Sequence, residues 1–122
     1  MGNELERAGQ RASRPVYVYE VPENVGGDVT VVGLVELTAE EEVLATKRAK
    51  NDPIRLAYEL AKQCLVEVNG QPVKLADGSA DTAWGKMNPK VRNLVLSAYA
   101  ELHSPPEGAA EDFLRSRQVR VA

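Results

Sequence analysis

The clearest hydrophobic pattern in the chain runs through Asp52–Val68. Asp52 can cap a helix, and Pro53 suits the first helical position, where no backbone N–H is needed. Apolar side chains then recur at the spacing of one face of a helix with 3.6 residues per turn. They are Ile54, Ala57, Tyr58, Ala61, Cys64 and Leu65. The period then shortens toward two, ahead of Asn69-Gly70, so the stretch predicts a helix that leads directly into a hairpin with a type I′ turn.

Other segments carry similar start signals and apolar stripes. Thr38 and Glu41 have the spacing of a capping box. Asn88-Pro89 repeats the combination of cap and proline, and an apolar stripe follows it. A shorter amphipathic stretch follows the break at Ser104-Pro105-Pro106. The predicted helices cover residues 38–50, 53–65, 89–103 and, as a shorter element, 107–117.

Strand patterns occupy the front of the chain. Val16–Val21 alternates β-branched and aromatic residues, and Asp28–Leu37 predicts a second strand with Gly33 at a bulge or a close approach. Gly26-Gly27 indicates the turn between them. Because a two-stranded ribbon is marginal alone, this hairpin must pack on the helices, pair with the later hairpin, or pair with another chain. Pro72 would make the last strand of the later hairpin an edge.

These patterns predict a mainly helical α+β domain with one or two short β-hairpins. Residues 1–14 are polar and are expected to form a flexible arm. Residues 15–122 are expected to form a single domain, with a hairpin at 16–36, a helical part at 38–117 and a short extended tail at 118–122; residues 75–80 are expected to form a loop. Trp84 is interpreted as a core anchor or a partner contact. The predicted core comprises Tyr58, Leu60, Ala61, Trp84, Leu94, Val95, Ala98 and Phe113.

Composition narrows the class of protein. The 122 residues are 43% apolar and 27% charged, which is typical of a soluble globular domain. The net charge of −3 leaves no strong basic field for a nucleic acid. No run of about 18 apolar residues and no secretory leader is present, so neither a membrane span nor export is expected. Cys64 is the only cysteine, which excludes an intrachain disulfide, favours a reducing compartment and suggests a small buried side chain.

The sequence motifs predict no catalytic, cofactor or metal site. The chain has no Gly-rich phosphate loop and no Cys or His residues at metal-ligand spacing. Glu40, Glu41 and Glu42 are adjacent, so on a helix their carboxylates diverge; capping and solvation explain them better than a metal does. His103 lies at a predicted helix end, where capping or the helix dipole accounts for it. The profile favours a small binding or assembly protein over an enzyme.

Three runs of the sequence resemble the tail assembly chaperones of tailed bacteriophages and prophages. They are ELTAEEEVLATKRAKNDPIRLAYELAKQCLVEVNGQPV, DGSADTAWGKMNPKVRNLVLSAYAELHSP, and a last helix ending in SRQVRV. The similarity spans residues 29–121. It implies a mainly helical protein in the cytoplasm of the bacterial host that binds the tape-measure protein, keeps it soluble and recruits tail-tube subunits. It implies no catalytic residues and no cofactor.

Three apolar residues widen the helix stripes beyond one packing face: Leu56, Leu96 and Tyr99. They are the candidates for partner contact, and extra core contact explains them equally well. The alternative function is a structural virion subunit, such as a baseplate, tail or connector protein. In that case the front hairpin and the basic tail would add strands to neighbouring subunits, and the protein would be found in the virion. Whether the chain forms homo-oligomers is left open.

Overall fold

The computed structural model describes residues 14–121, and this part of the chain contains four strands and six helices. The strands are β1 (Tyr17–Glu20), β2 (Val31–Leu34), β3 (Leu65–Val68) and β4 (Gln71–Pro72). The helices are α1 (Glu23–Gly26), α2 (Ala39–Ala49), α3 (Pro53–Cys64), α4 (Ser79–Lys86), α5 (Pro89–Leu102) and α6 (Ala109–Arg115). The mainly helical α+β fold expected from the sequence is confirmed.

The three long helices begin at the predicted caps. At α2 the Thr38 hydroxyl accepts from the Glu41 N–H at 3.3 Å, and the Glu41 carboxylate accepts from the Thr38 N–H at 3.0 Å. The Asp52 side chain caps α3, and the Asn88 side chain caps α5. Each cap satisfies N–H groups that have no partner inside the helix, which stabilises the helix by about 1 kcal/mol.

The four strands form one antiparallel sheet in the order β1-β2-β3-β4. Val32 of β2 lies opposite Val68 of β3, so the front hairpin pairs with the later hairpin of the same chain. Gly33 lies at a register shift, and a Cβ atom added there would be 3.0 Å from Val16 Cγ1 and 3.1 Å from Glu67 Cβ. Both the bulge and the close approach predicted at this glycine are therefore present.

The turn between β3 and β4 also fastens the front hairpin. Asn69 and Gly70 have φ values of 54° and 78°, as a type I′ turn requires. The Asn69 side-chain oxygen accepts from the Thr30 N–H at 2.8 Å, and its amide donates to the Asp28 carbonyl at 2.8 Å. One side chain thus joins the loop before β2 to the turn after β3.

The core lies between the sheet and helices α3, α4 and α5. Its largest fully buried side chains are Leu34, Met87, Val91, Val95 and Cys64. The predicted burial of Ala61, Trp84, Val95 and Ala98 is confirmed, and Leu60 is half-buried.

The predicted burial of three residues is wrong. Tyr58 is 36% exposed; its ring lies 5.8 Å from that of Trp84 at the outer side of the core. Leu94 is 40% exposed because it lines an open groove between β1 and α5. Phe113 is 76% exposed because no residue of α6 is buried. Helical periodicity identified the apolar face of each helix, but the tertiary structure decides how much of that face is covered.

Two helices occur where the sequence predicted a turn and a loop. One helical turn, α1, follows Pro22; Gly26 is its last residue and Gly27 its C-cap. Residues 75–80 were predicted to be a loop, yet α4 begins at Ser79 and buries Ala80 and Trp84. This helix is only eight residues long, and its burial against the core stabilises it more than its own propensity does.

The predicted flexible arm falls mostly outside the described residues, which begin at Arg14. The Arg14 guanidinium donates to Glu41 Oε1 at 2.7 Å and to the Glu36 carbonyl at 2.6 Å. These bonds hold the start of the front hairpin against the beginning of α2. At the other end of the chain, residues 118–121 form no strand.

Candidate functional site

A groove of about 300 Å³ lies between the end of β1 and α5. Its volume is at the lower end of the range for small binding sites. The lining residues are Tyr19, Glu20, Val21, Pro22, Val32, Leu94, Val95, Ser97, Ala98 and Glu101.

The two walls of the groove follow from strand and helix periodicity. Tyr19 lies opposite the buried Val32, so it points to the same side of the sheet as the core. On α5, Leu94, Ala98 and Glu101 follow one another at i, i+4 and i+7 and line the opposite wall. The groove is therefore an uncovered continuation of the core, and Leu94 is exposed within it.

The charged side chains of this lining are all acidic. Glu101 lies on the helix wall. Glu20 belongs to the lining through its position in β1, but strand alternation directs its side chain to the face opposite that of Tyr19. No Lys or Arg lines the groove. Burial raises the pKa of the Tyr19 phenol, and the negative charge of Glu101 raises it further. The only hydroxyl on the helix wall belongs to Ser97, and it donates to the Asn93 carbonyl at 3.0 Å. This arrangement fits the binding of an apolar group with a nearby positive charge and provides no activated nucleophile.

The outer edge of β1 borders this groove. The Val21 N–H donates to the Thr30 carbonyl at 2.9 Å, and antiparallel hydrogen bonding alternates along a strand. The main-chain groups of Val18 and Glu20 therefore point away from β2, at the end of the sheet. The opposite edge, β4, has two residues and contains the predicted edge proline, Pro72. Of the two edges of the sheet that residues 14–121 form, only β1 offers several consecutive residues for pairing with a further strand.

The C-terminal segment presents a second apolar surface. Phe113 and Leu114 of α6 are 76% and 70% exposed, and Val119 and Val121 beyond the helix are also exposed. The ion pair between Arg115 and Asp112 is 3.8 Å long and lies in solvent. This segment therefore carries large apolar side chains that residues 14–121 leave uncovered.

The structure places the three predicted contact residues on two helices. Leu56 lies half-buried in the first turn of α3. Leu96 and Tyr99 on α5 are partly buried and pack against the core. None of the three lines the groove. The sequence did not single out the groove, because the exposure of Leu94 depends on how α5 lies against the sheet.

The sequence patterns also missed an ion network around the buried Glu59, which joins α2, α3 and α4. Glu59 is 3% exposed and accepts from Arg48 at 2.7 Å and from Lys62 at 2.8 Å. Both cations also reach Asp81 Oδ1, at 2.8 Å and 3.0 Å. The i, i+3 spacing of Glu59 and Lys62 was a local signal, but the two other members lie elsewhere in the sequence.

The charges of this network balance, with two cations and two carboxylates. Burial opposes the charged form of Glu59, but the hydrogen bonds from Lys62 and Arg48 outweigh burial and lower its pKa. The pKa of Asp81 is lowered by the same two cations against its own burial. A satisfied network of this kind holds three helices together, and it has no uncompensated charge with which to bind a ligand.

His103 and Cys64 have structural roles. The His103 Nε2 atom accepts from the Leu37 N–H at 2.9 Å, and Nδ1 lies 2.8 Å from the Tyr99 carbonyl, to which it donates. The ring therefore connects the end of α5 to Leu37, which precedes the Thr38 cap of α2, and both of its nitrogen atoms form hydrogen bonds. Cys64 is fully buried, as predicted, and burial raises the pKa of its thiol to about 12. It is a packed thiol rather than a reactive thiolate.

The structure from Arg14 to Val121 brings no three His, Cys, Asp or Glu side chains together as metal ligands. Over the same residues, no helix has the length and apolar character needed to cross a membrane. The sequence matches no protein-family model, and neither the curated proteins nor the solved structures yielded a match to it.

Proposed function

We propose that this protein is a tail assembly chaperone of a tailed bacteriophage or prophage. In this proposal it binds an apolar helical segment of a tape-measure-like protein, keeps that protein soluble and helps to recruit tail-tube subunits. The sequence resemblance supplies the class of partner. The structural observation that supports the binding activity is the exposed apolar pair on α6, Phe113 and Leu114.

The α6 pair suits reversible binding to another helix. An amphipathic helix normally buries its apolar side chains against its own chain, and α6 buries none. Packing the pair on a partner helix would contribute about 3–6 kcal/mol of apolar burial. Much of this is offset by the entropic cost of association, so each contact would be weak. Weak contacts favour a chaperone that must release its client when the tail is complete.

The chain around α6 separates this pair from the core. Ser104-Pro105-Pro106 ends the preceding helix, since proline cannot continue it. Gly108 then adopts a φ of 85°, which redirects the chain at the start of α6. Glu111 and Asp112 precede the apolar pair and keep the exposed helix solvated. The segment can therefore contact a partner without disturbing the core.

Co-expression with the tape-measure protein tests the proposal. The wild-type protein should move the tape-measure protein from the pellet to the soluble fraction. The double variant Phe113→Glu with Leu114→Glu should lose most of this effect and keep an unchanged melting temperature, because both residues are exposed. Val43→Glu is the matched control, since Val43 is an exposed apolar residue on a different helix. Leu56→Glu tests the half-buried residue that the sequence suggested.

Two results would contradict the chaperone function. One is a tape-measure protein that is as soluble alone, or with the double variant, as it is with the wild-type protein. The other is recovery of this protein at stoichiometric levels in purified particles. The second result would instead support a structural virion subunit. That alternative is favoured by the open edge of β1 together with the exposed, basic C-terminal tail.

A further inference from the structure

We infer that residues 117–121 of one copy of this protein add a strand to the β1 edge of a second copy and place apolar side chains in its groove. This inference concerns self-association and goes beyond the proposed binding of a tape-measure-like protein. It is supported by the free edge of β1, the apolar groove beside it, and the matching pattern and charge of the tail.

The β1 edge can accept a strand. Within residues 14–121 no strand lies beyond β1, so the outward main-chain groups of Val18 and Glu20 can form the hydrogen bonds of a fifth strand. Pro15 and Pro22 flank β1, whereas none of its four residues is a proline. Val18 is 61% exposed, so the edge is not covered by another part of the described chain. Strand addition at such an edge supplies affinity through main-chain bonds, and pockets for alternate side chains supply specificity.

The tail has the alternation that this edge requires. In an extended chain, Arg117, Val119 and Val121 project to one side, and Gln118 and Arg120 project to the other. Five extended residues span about 16 Å, one residue more than the four of β1. If Val119 and Val121 project to the inner side, the side of the sheet that faces α5, they enter the groove beside Leu94.

The same placement pairs opposite charges. Arg117 would project toward the inner side, where Glu101 lies on the helix wall. Arg120 would project to the outer side, the side of β1 on which Glu20 alternates with the inward-facing Tyr19. The groove lining contains no Lys or Arg, and residues 117–121 contain no Asp or Glu. Charge and alternation therefore favour one register of the added strand.

The tail is available for pairing because its valines are exposed within the described part of the chain, residues 14–121. Val119 and Val121 are 79% and 97% exposed, and residues 118–121 belong to no helix or strand. Their burial in a second copy would remove apolar surface from water. The same pairing would give hydrogen-bond partners to the outward main-chain groups of β1.

Sedimentation of the purified protein, with no other protein present, tests the inference. The full chain should self-associate in a concentration-dependent manner. Deletion of residues 117–122 should leave a monomer with an unchanged melting temperature. Arg120→Glu and Glu20→Arg should each weaken association about tenfold, and the double variant with both changes should restore it. Arg115→Glu is the matched control, because it makes the same charge change on α6, outside the tail.

Several results would overturn the inference. They are a full chain that stays monomeric at up to about 1 mM, association that survives the deletion, and an Arg120→Glu variant that behaves like Arg115→Glu. Failure of the double variant to restore association would also overturn it. Because the assay contains no tape-measure protein, these outcomes are independent of the chaperone test.

Discussion

Helices α5 and α6 carry similar amphipathic patterns and have opposite environments. On α5, Val91, Val95 and Ala98 are buried against the core. On α6, the apolar pair Phe113 and Leu114 lies in solvent, and the helix buries no residue. An apolar stripe therefore predicts which residues share a face, but it does not show whether the covering surface belongs to the same chain.

The length and connection of the two helices explain much of this difference. The fourteen residues of α5 give it an apolar face several turns long, and it packs against α3 and the inner side of the sheet. The seven residues of α6 follow a pair of prolines and offer two large apolar side chains. A helix this short is marginal without external packing. Such a segment is suited to gaining its packing from another molecule.

The largest expected difference in stability is between truncating a side chain in the core and truncating one on the C-terminal helix α6. Leu34→Ala should reduce the free energy of unfolding by about 4 kcal/mol, because Leu34 is fully buried and the change leaves a cavity. Phe113→Ala should change it by less than about 0.5 kcal/mol. Leu94→Ala, in the open groove, should cost about 1 kcal/mol. Urea denaturation measures all three, and a large loss for Phe113→Ala would show that α6 packs on the core in solution.

The next contrast is between two sets of charged residues. Glu59→Ala should cost about 3 kcal/mol, because it leaves Arg48 and Lys62 without their buried acceptor. Asp112→Ala should cost almost nothing, since its ion pair with Arg115 is exposed. Equal losses for Glu59→Ala and Asp112→Ala would contradict the structural role of the network.

The Glu59 network also predicts an acid dependence. The pKa of Glu59 is lowered from its ordinary 4.5, so its stabilisation is complete above that value. It is lost as the pH falls through the lower folded-state pKa, where the carboxylate takes up a proton. Denaturation curves between pH 7 and pH 3 should show this loss in the wild type and a smaller loss in Glu59→Gln. Parallel curves for the two proteins would rule out this contribution.

The smallest contrast is between two polar contacts. His103→Ala should cost about 1–2 kcal/mol, because it leaves the half-buried Leu37 N–H without its acceptor. Ser116→Ala should be close to neutral, although its hydroxyl donates to the Phe113 carbonyl at 2.6 Å, because that contact is exposed. Thermal unfolding can compare the two variants. A neutral His103→Ala would mean that water replaces the imidazole.

Local signals in the sequence predicted the starts of the helices and the tight turn. Thr38, Asp52 and Asn88 act through residues two or three positions away, so the necessary information is contained in short stretches. Gly70 likewise allows the type I′ turn through its own backbone freedom. Helix α4 was missed because its stability comes from burying Trp84 rather than from any cap of its own.

The candidate site was much less predictable than the elements that build it. The groove depends on the angle at which α5 meets β1, and the exposure of Leu94 follows from that angle. The ion network depends on bringing Arg48 and Asp81, which are far apart in sequence, to the same carboxylate. No spacing rule in one sequence connects such residues.

The sequence by itself determined the helices, the hairpins and their apolar faces, because caps, turns and periodicity act over a few residues. Only the tertiary structure decided which of those faces are covered. It joined the two hairpins into one sheet, enclosed Cys64 and left Leu94 and Phe113 in solvent. The physical reason is that burial depends on the approach of segments distant in the chain, whereas helix and strand formation begins with neighbours.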